Sequence, residues 1–263
     1  MKILFIGDIV GKPGRQAIDE VLERTISRYS IEFTIANCEN AAGGMGITPE
    51  IAIDILDQGV DVLTSGNHIW AKKEIIPFLE EESRILRPSN YPDGVPGRGA
   101  GVYHSKHGMK IGVLNLEGRV FMKTLECPFR VAEKELEKLS RETNVIIVDF
   151  HAEATSEKMA LGWFLDGKVS AVLGTHTHVQ TGDERLLNGG TAYITDVGMT
   201  GPMASVIGIR KQVALERLLT QVPWKFDVAT DDVQLQGVVV EIDSETGKAA
   251  GIERIRVPLD KRG

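Results

Sequence analysis

The sequence predicts an α/β fold, a sandwich with mixed β-sheets inside and helices outside. Short apolar runs alternate with amphipathic stretches of helical length, an order that favours parallel strands joined by right-handed crossovers. Two further pairs of apolar runs flank turn sequences and are typical of antiparallel hairpins. Of the 263 residues, 42% are hydrophobic and 25% are charged, which is ordinary for a globular protein with a sizeable core.

The first part of the chain supplies three predicted strands and two predicted helices. The strands are the buried apolar runs at residues 3–6, 33–36 and 60–64. An amphipathic stretch from about residue 15 to residue 29 predicts the first helix. Thr48 is the expected N-cap of the second helix, with Pro49 at its first position and Gly59 closing it.

The second part of the chain adds two buried strands and the two hairpins. The strands are predicted at residues 144–150 and 169–173, separated by a helix that starts near Thr155 or Ser156. Gly174 is expected to end the second of these strands. The hairpins are predicted at residues 101–104 with 110–116, and at residues 233–242 with 252–257.

Net charge and cysteine count bound the function and the location of the protein. A net charge of −7 gives no reason to expect long-range attraction to nucleic acid or to an anionic membrane. Cys38 and Cys127 form neither a disulfide framework nor a CxxC motif, so a reducing cytoplasm is the simplest location. The first apolar run is broken by Asp8 and suits neither a signal peptide nor a membrane span. No shift in composition marks a linker, so residues 1–263 are expected to form a single domain.

The stretch Ala-Val-Leu-Gly-Thr-His-Thr-His at residues 171–178 is the most informative one in the chain. Residues i and i+2 of an extended segment point to the same side, so His176 and His178 are expected side by side. Such a pair suits two neighbouring metal ions, and the alternative is a pair of solvated loop histidines. The buried strand before the pair, together with candidate partners elsewhere, favours the metal interpretation.

Polar residues also follow four other predicted strands, and open α/β sheets place ligands at such carboxyl ends. Four of the six histidines fall in these positions, whereas His104 and His107 lie in a hairpin and are expected at the surface. Taken singly, each polar residue could be a cap or a turn residue, but their recurrence favours one shared site. The candidates are Asp8, Glu39, Asn40, Asn67, His68, His151, His176 and His178.

Nitrogen and oxygen donors without thiolates suit Mn, Fe or Zn better than soft metals. Two ions need a bridging carboxylate, which Glu39 or Asp8 could supply. Two ions about 3.5–4 Å apart can hold a hydroxide and clamp a phosphoryl group for in-line displacement. A phosphate-binding loop at residues 7–14 is the less favoured alternative, because its spacing is one residue short and Pro13 replaces the required Ser or Thr.

Five motifs in order resemble the calcineurin-like metallophosphoesterases, and within them the YmdB-like family. They are Gly-Asp-Ile-Val-Gly at 7–11, Asn-Cys-Glu-Asn-Ala-Ala-Gly-Gly at 37–44, Thr-Ser-Gly-Asn-His at 64–68, Asp-Phe-His-Ala-Glu at 149–153 and Gly-Thr-His-Thr-His-Val-Gln-Thr at 174–181. The resemblance spans nearly the whole chain and implies a metallophosphoesterase-type sandwich of two mixed β-sheets flanked by helices. It also implies a binuclear iron phosphodiesterase that hydrolyses cyclic nucleotides, including 2′,3′-cyclic and possible 3′,5′-cyclic substrates.

The sequence departs from the broader superfamily at three positions. Val10 stands where a histidine usually accompanies Asp8, and the side-chain oxygen of Asn40 could fill that place. Glu39 stands where an aspartate usually bridges, and Ile69 follows the Gly-Asn-His motif where an acidic residue is common. The changes at Val10 and Glu39 fit the YmdB-like family.

The resemblance also implies a role for each candidate residue. One ion would be held by Asp8, Glu39, Asn40 and His178, and the other by Glu39, Asn67, His151 and His176. His68 would remain free of metal and act as the general acid. Independently of the resemblance, an alkoxide leaves phosphorus poorly unless it is protonated, and an imidazole is suited to that task near neutral pH.

The sequence therefore predicts a cytoplasmic, binuclear metal-dependent phosphodiesterase, homo-oligomeric, with iron as the expected metal and Mn or Zn as alternatives. A phosphomonoesterase of the same fold is a second hypothesis, and a metal-stabilised regulatory scaffold without turnover is a third. Asp149, Glu153 and Asp196 are candidates for orienting the metal ligands. The loops at residues 88–101 and 198–205 are candidates for shaping the substrate pocket, with a structural turn as the alternative for most of their residues.

Overall fold

Residues 1–259, the part of the chain described by a computed structural model, form two mixed β-sheets stacked between helices. The helices are α1 Gly11–Tyr29, α2 Pro49–Asp57, α3 Ile75–Glu81, α4 Pro128–Leu139, α5 Thr155–Leu165 and α6 Lys211–Thr220, with a 3₁₀ turn at Ile69–Ala71. The strands are β1 Lys2–Ile6, β2 Asp8–Ile9, β3 Phe33–Asn37, β4 Val62–Thr64, β5 Ala100–His104, β6 Lys110–Glu117, β7 Ile146–His151, β8 Ala171–Thr175, β9 Arg185–Leu186, β10 Ala192–Ile194, β11 Met199–Pro202, β12 Val233–Ile242 and β13 Ala249–Pro258. The predicted α/β sandwich is confirmed.

Both sheets combine parallel and antiparallel pairs. In the first sheet the strand order is β2-β11-β12-β1-β3-β4, with β13 also paired to β12. Its central strand β1 is antiparallel to β12 and parallel to β3. In the second sheet the order is β5-β6-β7-β8-β10-β9, with parallel pairing from β6 to β10 and antiparallel pairs at both edges. Helices α1 and α2 cover the first sheet, and α4 and α5 cover the second.

Side-chain alternation along each strand decides what lies between the two sheets. In β7, Ile147 packs in the apolar cluster that both sheets share. Val148 and Phe150 point the other way and pack beneath α4 and α5. Asp149 and His151 therefore continue the inner face of the strand, and both are fully buried.

The inner face is apolar along the first part of each strand and polar at its carboxyl end. The buried polar residues that continue inner-facing apolar positions are Asn37 in β3, Thr64 in β4, Asn115 and Glu117 in β6, Asp149 and His151 in β7, and Thr175 in β8. Because buried polar groups need partners, these side chains must be satisfied by one another or by a ligand.

Several predicted boundaries were wrong. Helix α1 begins at Gly11, about four residues earlier than expected, because its first turn carries the small buried residues Gly11, Pro13 and Gly14 rather than an amphipathic pattern. Gly174 does not end its strand, since β8 runs through it to Thr175.

The predicted N-cap of α2 at Thr48 is confirmed, because the Thr48 hydroxyl accepts a hydrogen bond from the amide of Ile51.

Three helices and four strands were not predicted from the sequence. Strands β2, β9, β10 and β11 are two to four residues long, too short to show a periodicity. Helix α6 buries only Ala214, although Leu215, Leu218 and Leu219 recur at helical spacing along it and are exposed. Helix α4 does carry such a stripe, which its apolar spacing could have indicated. Among residues 1–259, no helix combines the length and the apolar character that crossing a membrane requires.

Replacing Gly174 by alanine is expected to destabilise the fold. The added Cβ would lie 1.8 Å from the carbonyl oxygen of Thr195, so β8 and the neighbouring backbone must separate. We expect the free energy of unfolding to fall by about 1–3 kcal/mol or more, measured by urea denaturation. The control is Gly182→Ala, whose Cβ would meet its nearest neighbour, Arg254, at 3.8 Å. Equal stability of the two variants would contradict the close approach.

Candidate metal centre

All eight candidate residues from the sequence lie in one cluster at the carboxyl ends of the strands. Asp8 belongs to β2 and His151 is the last residue of β7, whereas the others lie within four residues after the end of β3, β4 or β8. Each of the eight contacts at least one other member, and the members are Asp8, Glu39, Asn40, Asn67, His68, His151, His176 and His178. His104 and His107, by contrast, are exposed, as the sequence predicted.

His151 lies at the centre of one half of the cluster. Its Nε2 is 3.0 Å from Glu39 Oε1, 3.2 Å from Asn67 Oδ1 and 3.0 Å from His176 Nδ1. One atom each from Glu39, His151 and His176 lies within 4.8 Å of the other two, a spacing that could hold a metal ion. Gly66 makes room for this arrangement, because a Cβ there would lie 2.1 Å from the His151 ring and 2.3 Å from Glu39 Oε2.

Asp8, Asn40 and His178 form the other half. The His178 Nε2 lies 3.1 Å from Asn40 Nδ2 and 3.8 Å from Asp8 Oδ1. The Asn40 amide also contacts Glu39 Oε1 at 3.3 Å, so Glu39 touches both halves. The second oxygen of Asp8, Oδ2, accepts a hydrogen bond from the amide of His176 at 3.2 Å.

These donors fit a cation. Three acceptors converge on His151 Nε2, which carries at most one proton, and that proton can serve only one of them. Asp8 Oδ1 is buried and has no hydrogen-bond partner within the described part of the chain. Positive charge between these atoms would satisfy all of them, and a carboxylate, amide and imidazole set suits Mn, Fe or Zn.

Three of the four histidines in the cluster, all except His68, have their other ring nitrogen fixed by a partner outside the cluster. Such a bond fixes the ring orientation and leaves the remaining nitrogen, once it is unprotonated, to bind a metal. The three contacts are His151 Nδ1 to Thr175 Oγ1 at 2.9 Å, His176 Nε2 to Glu153 Oε2 at 3.1 Å, and His178 Nδ1 to the carbonyl oxygen of Ile207 at 2.9 Å.

A buried chain of hydrogen bonds determines the direction of the His151 contact. The Thr175 hydroxyl donates to Asp149 Oδ1 at 2.7 Å, so it accepts from the His151 Nδ1–H. Asn37 Nδ2 donates to the other Asp149 oxygen at 2.9 Å. Burial raises the pKa of Asp149 to about 6, and the charge of His151, with hydrogen bonds from Thr64, Thr175 and Asn37, limits that rise. Asp149, one of the three residues predicted to orient the metal ligands, therefore acts on His151 through the hydroxyl of Thr175.

His176 and His178 are not in the extended segment that the sequence predicted. Both have positive φ angles, 97° and 65°, so their side-by-side placement does not come from strand alternation. Left-handed backbone at a residue other than glycine costs of order 1–3 kcal/mol and persists where surrounding contacts impose it. The intervening residue, Thr177, supplies those contacts through Asp196.

Asp196 holds this loop with several hydrogen bonds. Its Oδ2 accepts from the Thr177 amide at 3.0 Å and from the Thr177 hydroxyl at 2.7 Å. Its Oδ1 accepts from the amide of Gly198 at 2.8 Å. The carboxylate is fully buried, and the buried ammonium of Lys158 on α5 balances its charge at 2.8 Å.

Electrostatic compensation within the cluster shifts several pKa values. Burial alone would raise the pKa of Glu39, but the charge of His151 and the hydrogen bonds from His151 and His68 bring it well below its usual value. Burial would lower the pKa of His151, but Glu39 outweighs this and raises it to about 9. Burial and the charge of His151 lower the pKa of His176 to about 3, which keeps its ring neutral. Burial raises the pKa of Asp8.

His68 is held in place at one edge of the cluster. Its Nδ1 lies 2.9 Å from Asn40 Oδ1 and 3.3 Å from Glu39 Oε1, and its amide donates to Glu39 Oε2 at 3.1 Å. Within residues 1–259, no group is hydrogen-bonded to its Nε2. The side-chain oxygen of Asn40 thus faces His68, and its side-chain nitrogen faces His178. Rotating this amide by half a turn would exchange the two atoms and point the oxygen at His178.

A cavity of about 560 Å³ opens beside the cluster. Its polar lining includes Glu39, His68, Glu153 and Asp227. Its apolar lining includes Met45, Ile207, Ile209, Phe226 and Val228. The loops at 88–101 and 198–205, weighed from the sequence as pocket-forming, do not contribute to this lining.

Thr175, the carbonyl of Ile207 and the apolar cavity residues Met45, Ile207 and Phe226 were missed in the sequence. Strand alternation from Leu173 would have placed Thr175 on the inner face. A backbone carbonyl has no side-chain signal, so the sequence could not indicate Ile207.

The fold and the site define an α/β metallophosphoesterase-type sandwich with a carboxylate–histidine cluster at its strand ends. The family model of YmdB-like proteins matches residues 4–255, and the chain belongs to this family. It is 48% identical over 260 residues to the 2′,3′-cyclic-nucleotide 2′-phosphodiesterase of Bacillus subtilis strain 168, covering 99% of this chain and 98% of that protein.

Two crystal structures are similar over the whole chain. A hypothetical protein from Thermus thermophilus superposes with a TM-score of 0.91 at 40% identity, over 98% of this chain and 99% of that one. A novel phosphatase from Mycoplasma pneumoniae superposes with a TM-score of 0.92 at 36% identity, over 100% and 95% of the two chains.

Asp196→Asn is expected to destabilise the protein strongly, because Lys158 stays buried without its counter-charge. We expect a loss of about 3–5 kcal/mol in the free energy of unfolding, and a similar loss for Lys158→Met. The double variant should lose less than the sum of the two, because it buries no unpaired charge. Chemical denaturation measures all three.

The matched control is Lys138→Ala, which breaks the exposed ion pair with Glu135 on α4 and should cost less than about 1 kcal/mol. Strictly additive losses for the Asp196 and Lys158 variants would show that the buried pair is not coupled.

Proposed function

We propose that this protein hydrolyses 2′,3′-cyclic nucleotides as a binuclear metal-dependent phosphodiesterase. The observation that carries the proposal is the convergence of Glu39, Asn67 and His176 on His151 Nε2, beside a cavity that His68 also lines. The activity named for the Bacillus subtilis relative supports the substrate class.

Two sets of residues would hold the metal ions, as the sequence resemblance implied. Glu39, Asn67, His151 and His176 form the first set. Asp8, Asn40 and His178 form the second, with Glu39 shared between the two. Asn40 would contribute its oxygen to this set after a half-turn of its side-chain amide, which now points its nitrogen at His178. When bound, the ions would supply Lewis acidity and a lowered pKa for water at phosphorus. Iron is the metal we expect, and manganese and zinc are alternatives that the same donors accept.

His68 would serve as the general acid. Its Nδ1 is occupied by Asn40 and Glu39, so Nε2 is the nitrogen that can reach a ligand in the cavity. In the hydrolysis, a water that has lost one proton to solvent forms a new O–P bond, one ribose P–O bond breaks, and the His68 proton passes to the released ribose oxygen. His68 then regains a proton from solvent. The product is a nucleoside monophosphate.

The remaining expectations from the sequence join this proposal. We infer that the chain is one domain, because the inner faces of both sheets share an apolar cluster. A cytoplasmic location and a homo-oligomeric state remain part of the proposal.

A phosphomonoesterase is the second candidate function, favoured by the description of the Mycoplasma pneumoniae relative as a novel phosphatase. A scaffold without turnover would not need the free Nε2 of His68.

His68→Ala is expected to lower kcat for 2′,3′-cyclic AMP by about 10²–10⁴-fold with unchanged metal content, because the ribose oxygen would leave unprotonated. The loss should be smaller for bis(p-nitrophenyl) phosphate, whose leaving group departs without a proton. The control is His104→Ala, which replaces an exposed histidine. Unchanged turnover of 2′,3′-cyclic AMP by His68→Ala would show that His68 is not the general acid.

Faster hydrolysis of p-nitrophenyl phosphate than of bis(p-nitrophenyl) phosphate by the parent enzyme would favour a phosphomonoesterase.

Metal binding is expected to release protons and to weaken as the pH falls. The pKa of His151 is raised to about 9, so its ring is protonated below that pH and must lose the Nε2 proton before binding a cation. Affinity should therefore rise as the pH rises towards about 9. Calorimetric titration of metal-free protein with Mn²⁺, in buffers of different ionisation enthalpy, counts the protons released. Binding without proton release would contradict a role for His151 as a ligand.

A further inference from the structure

Large apolar side chains line the cavity beside the metal centre and stay exposed there. Met45, Ile207 and Phe226 keep 39%, 49% and 46% of their surfaces accessible. Single exposed apolar residues are common, but several that line the same concave site are typical of a ligand surface. We call these three residues the apolar wall.

The wall is fixed relative to the centre by backbone contacts. The backbone carbonyl of Ile207 accepts a hydrogen bond from Nδ1 of His178 at 2.9 Å. This bond joins the apolar wall to His178, one of the candidate metal ligands. Ile209 forms an antiparallel bridge with Val228, and the amide of Ala229 donates to the carbonyl of Gly208 at 2.9 Å. These contacts tie the segment that carries Ile207 to the segment that carries Phe226.

Phe226 lines the cavity, whereas Arg217, which contacts its ring, does not. The guanidinium carbon of Arg217 lies 4.7 Å from the ring centroid, a cation–π contact that covers one face. A planar ligand in the cavity would stack on the other face. Nucleobases are such ligands, since every base has a π face that stacks on aromatic side chains.

The size of the cavity also indicates more than a phosphoryl group. Its volume of about 560 Å³ falls within the range of sites that enclose small organic ligands. A phosphoryl group next to the histidine–carboxylate cluster fills only part of it. The remaining space is bounded by the apolar wall, which suits an aromatic group better than a charged one.

We propose that the apolar wall binds the nucleobase of the substrate, with the base stacked on Phe226, and so selects nucleoside phosphodiesters over base-free ones. This inference rests on the proposed phosphodiesterase activity. It assigns Phe226 as a specificity-determining residue whose contribution is to substrate binding rather than to the chemical step.

The test compares two substrates that share the same reacting group. One is 2′,3′-cyclic AMP, and the other is methyl ribofuranoside 2,3-cyclic phosphate, which lacks a base. For the parent enzyme we expect kcat/KM to be about tenfold or more higher with the nucleotide. Equal values would overturn the inference, and this comparison does not depend on any variant folding.

Phe226→Ala should raise KM for 2′,3′-cyclic AMP about tenfold, leaving kcat and both constants for the base-free substrate nearly unchanged. Phe226→Trp should retain the low KM, because an aromatic face remains. The matched control is Trp224→Ala, which removes an equally exposed aromatic ring, 49% accessible, from a residue outside the cavity lining.

The outcomes separate the two proposals. An equal rise in KM for both substrates in Phe226→Ala, or an identical effect of Trp224→Ala, would overturn base stacking while leaving the phosphodiesterase activity intact. Failure of the metal-loaded parent enzyme to hydrolyse either substrate would overturn the proposed function itself.

Discussion

The convergence of donor atoms on His151 Nε2 is the interaction on which the rest of the site depends. A carboxylate, an amide oxygen and a second imidazole lie 3.0–3.2 Å from one nitrogen in a buried position. Such an arrangement is costly unless positive charge compensates it, because buried polar groups have lost their solvation. Without a metal, the His151 ring itself carries that positive charge, because its raised pKa of about 9 keeps it protonated near neutral pH. We propose that a metal ion takes over the same task.

The sheet architecture makes this concentration of polar groups possible. Alternation gives each strand an inner face, and the inner faces change from apolar to polar at their carboxyl ends. The apolar part forms the core shared by the two sheets, so the polar part meets at one edge of a rigid scaffold. Partners outside the cluster then orient the imidazoles: Thr175 holds His151, Glu153 holds His176, and the carbonyl of Ile207 holds His178. A site so supported loses little conformational entropy when a ligand binds.

Much of the fold and the membership of the candidate site could be predicted from the sequence. Apolar runs located the central strands, and the residues after those runs supplied all eight members of the cluster. This works because hydrophobic burial and strand polarity are local properties of the sequence.

Features that depend on tertiary contacts could not be predicted in the same way. The left-handed conformations of His176 and His178 are imposed by Asp196, which is distant in sequence and paired with a lysine from another element. The apolar wall includes Phe226, in a segment without regular periodicity, and Ile207 fixes His178 through its backbone carbonyl. Helix α6 buries a single residue, and its exposed Leu215, Leu218 and Leu219 show that apolar spacing alone does not tell which surface a helix packs against.

The most direct measurement is anomalous diffraction from a crystal of the metal-loaded protein. The account predicts two anomalous peaks in the cluster, one contacted by His151 Nε2, His176 Nδ1 and Glu39, and the other by Asp8 and His178. Crystals in which metal is bound elsewhere, with His151 still hydrogen-bonded to Glu39, would contradict it.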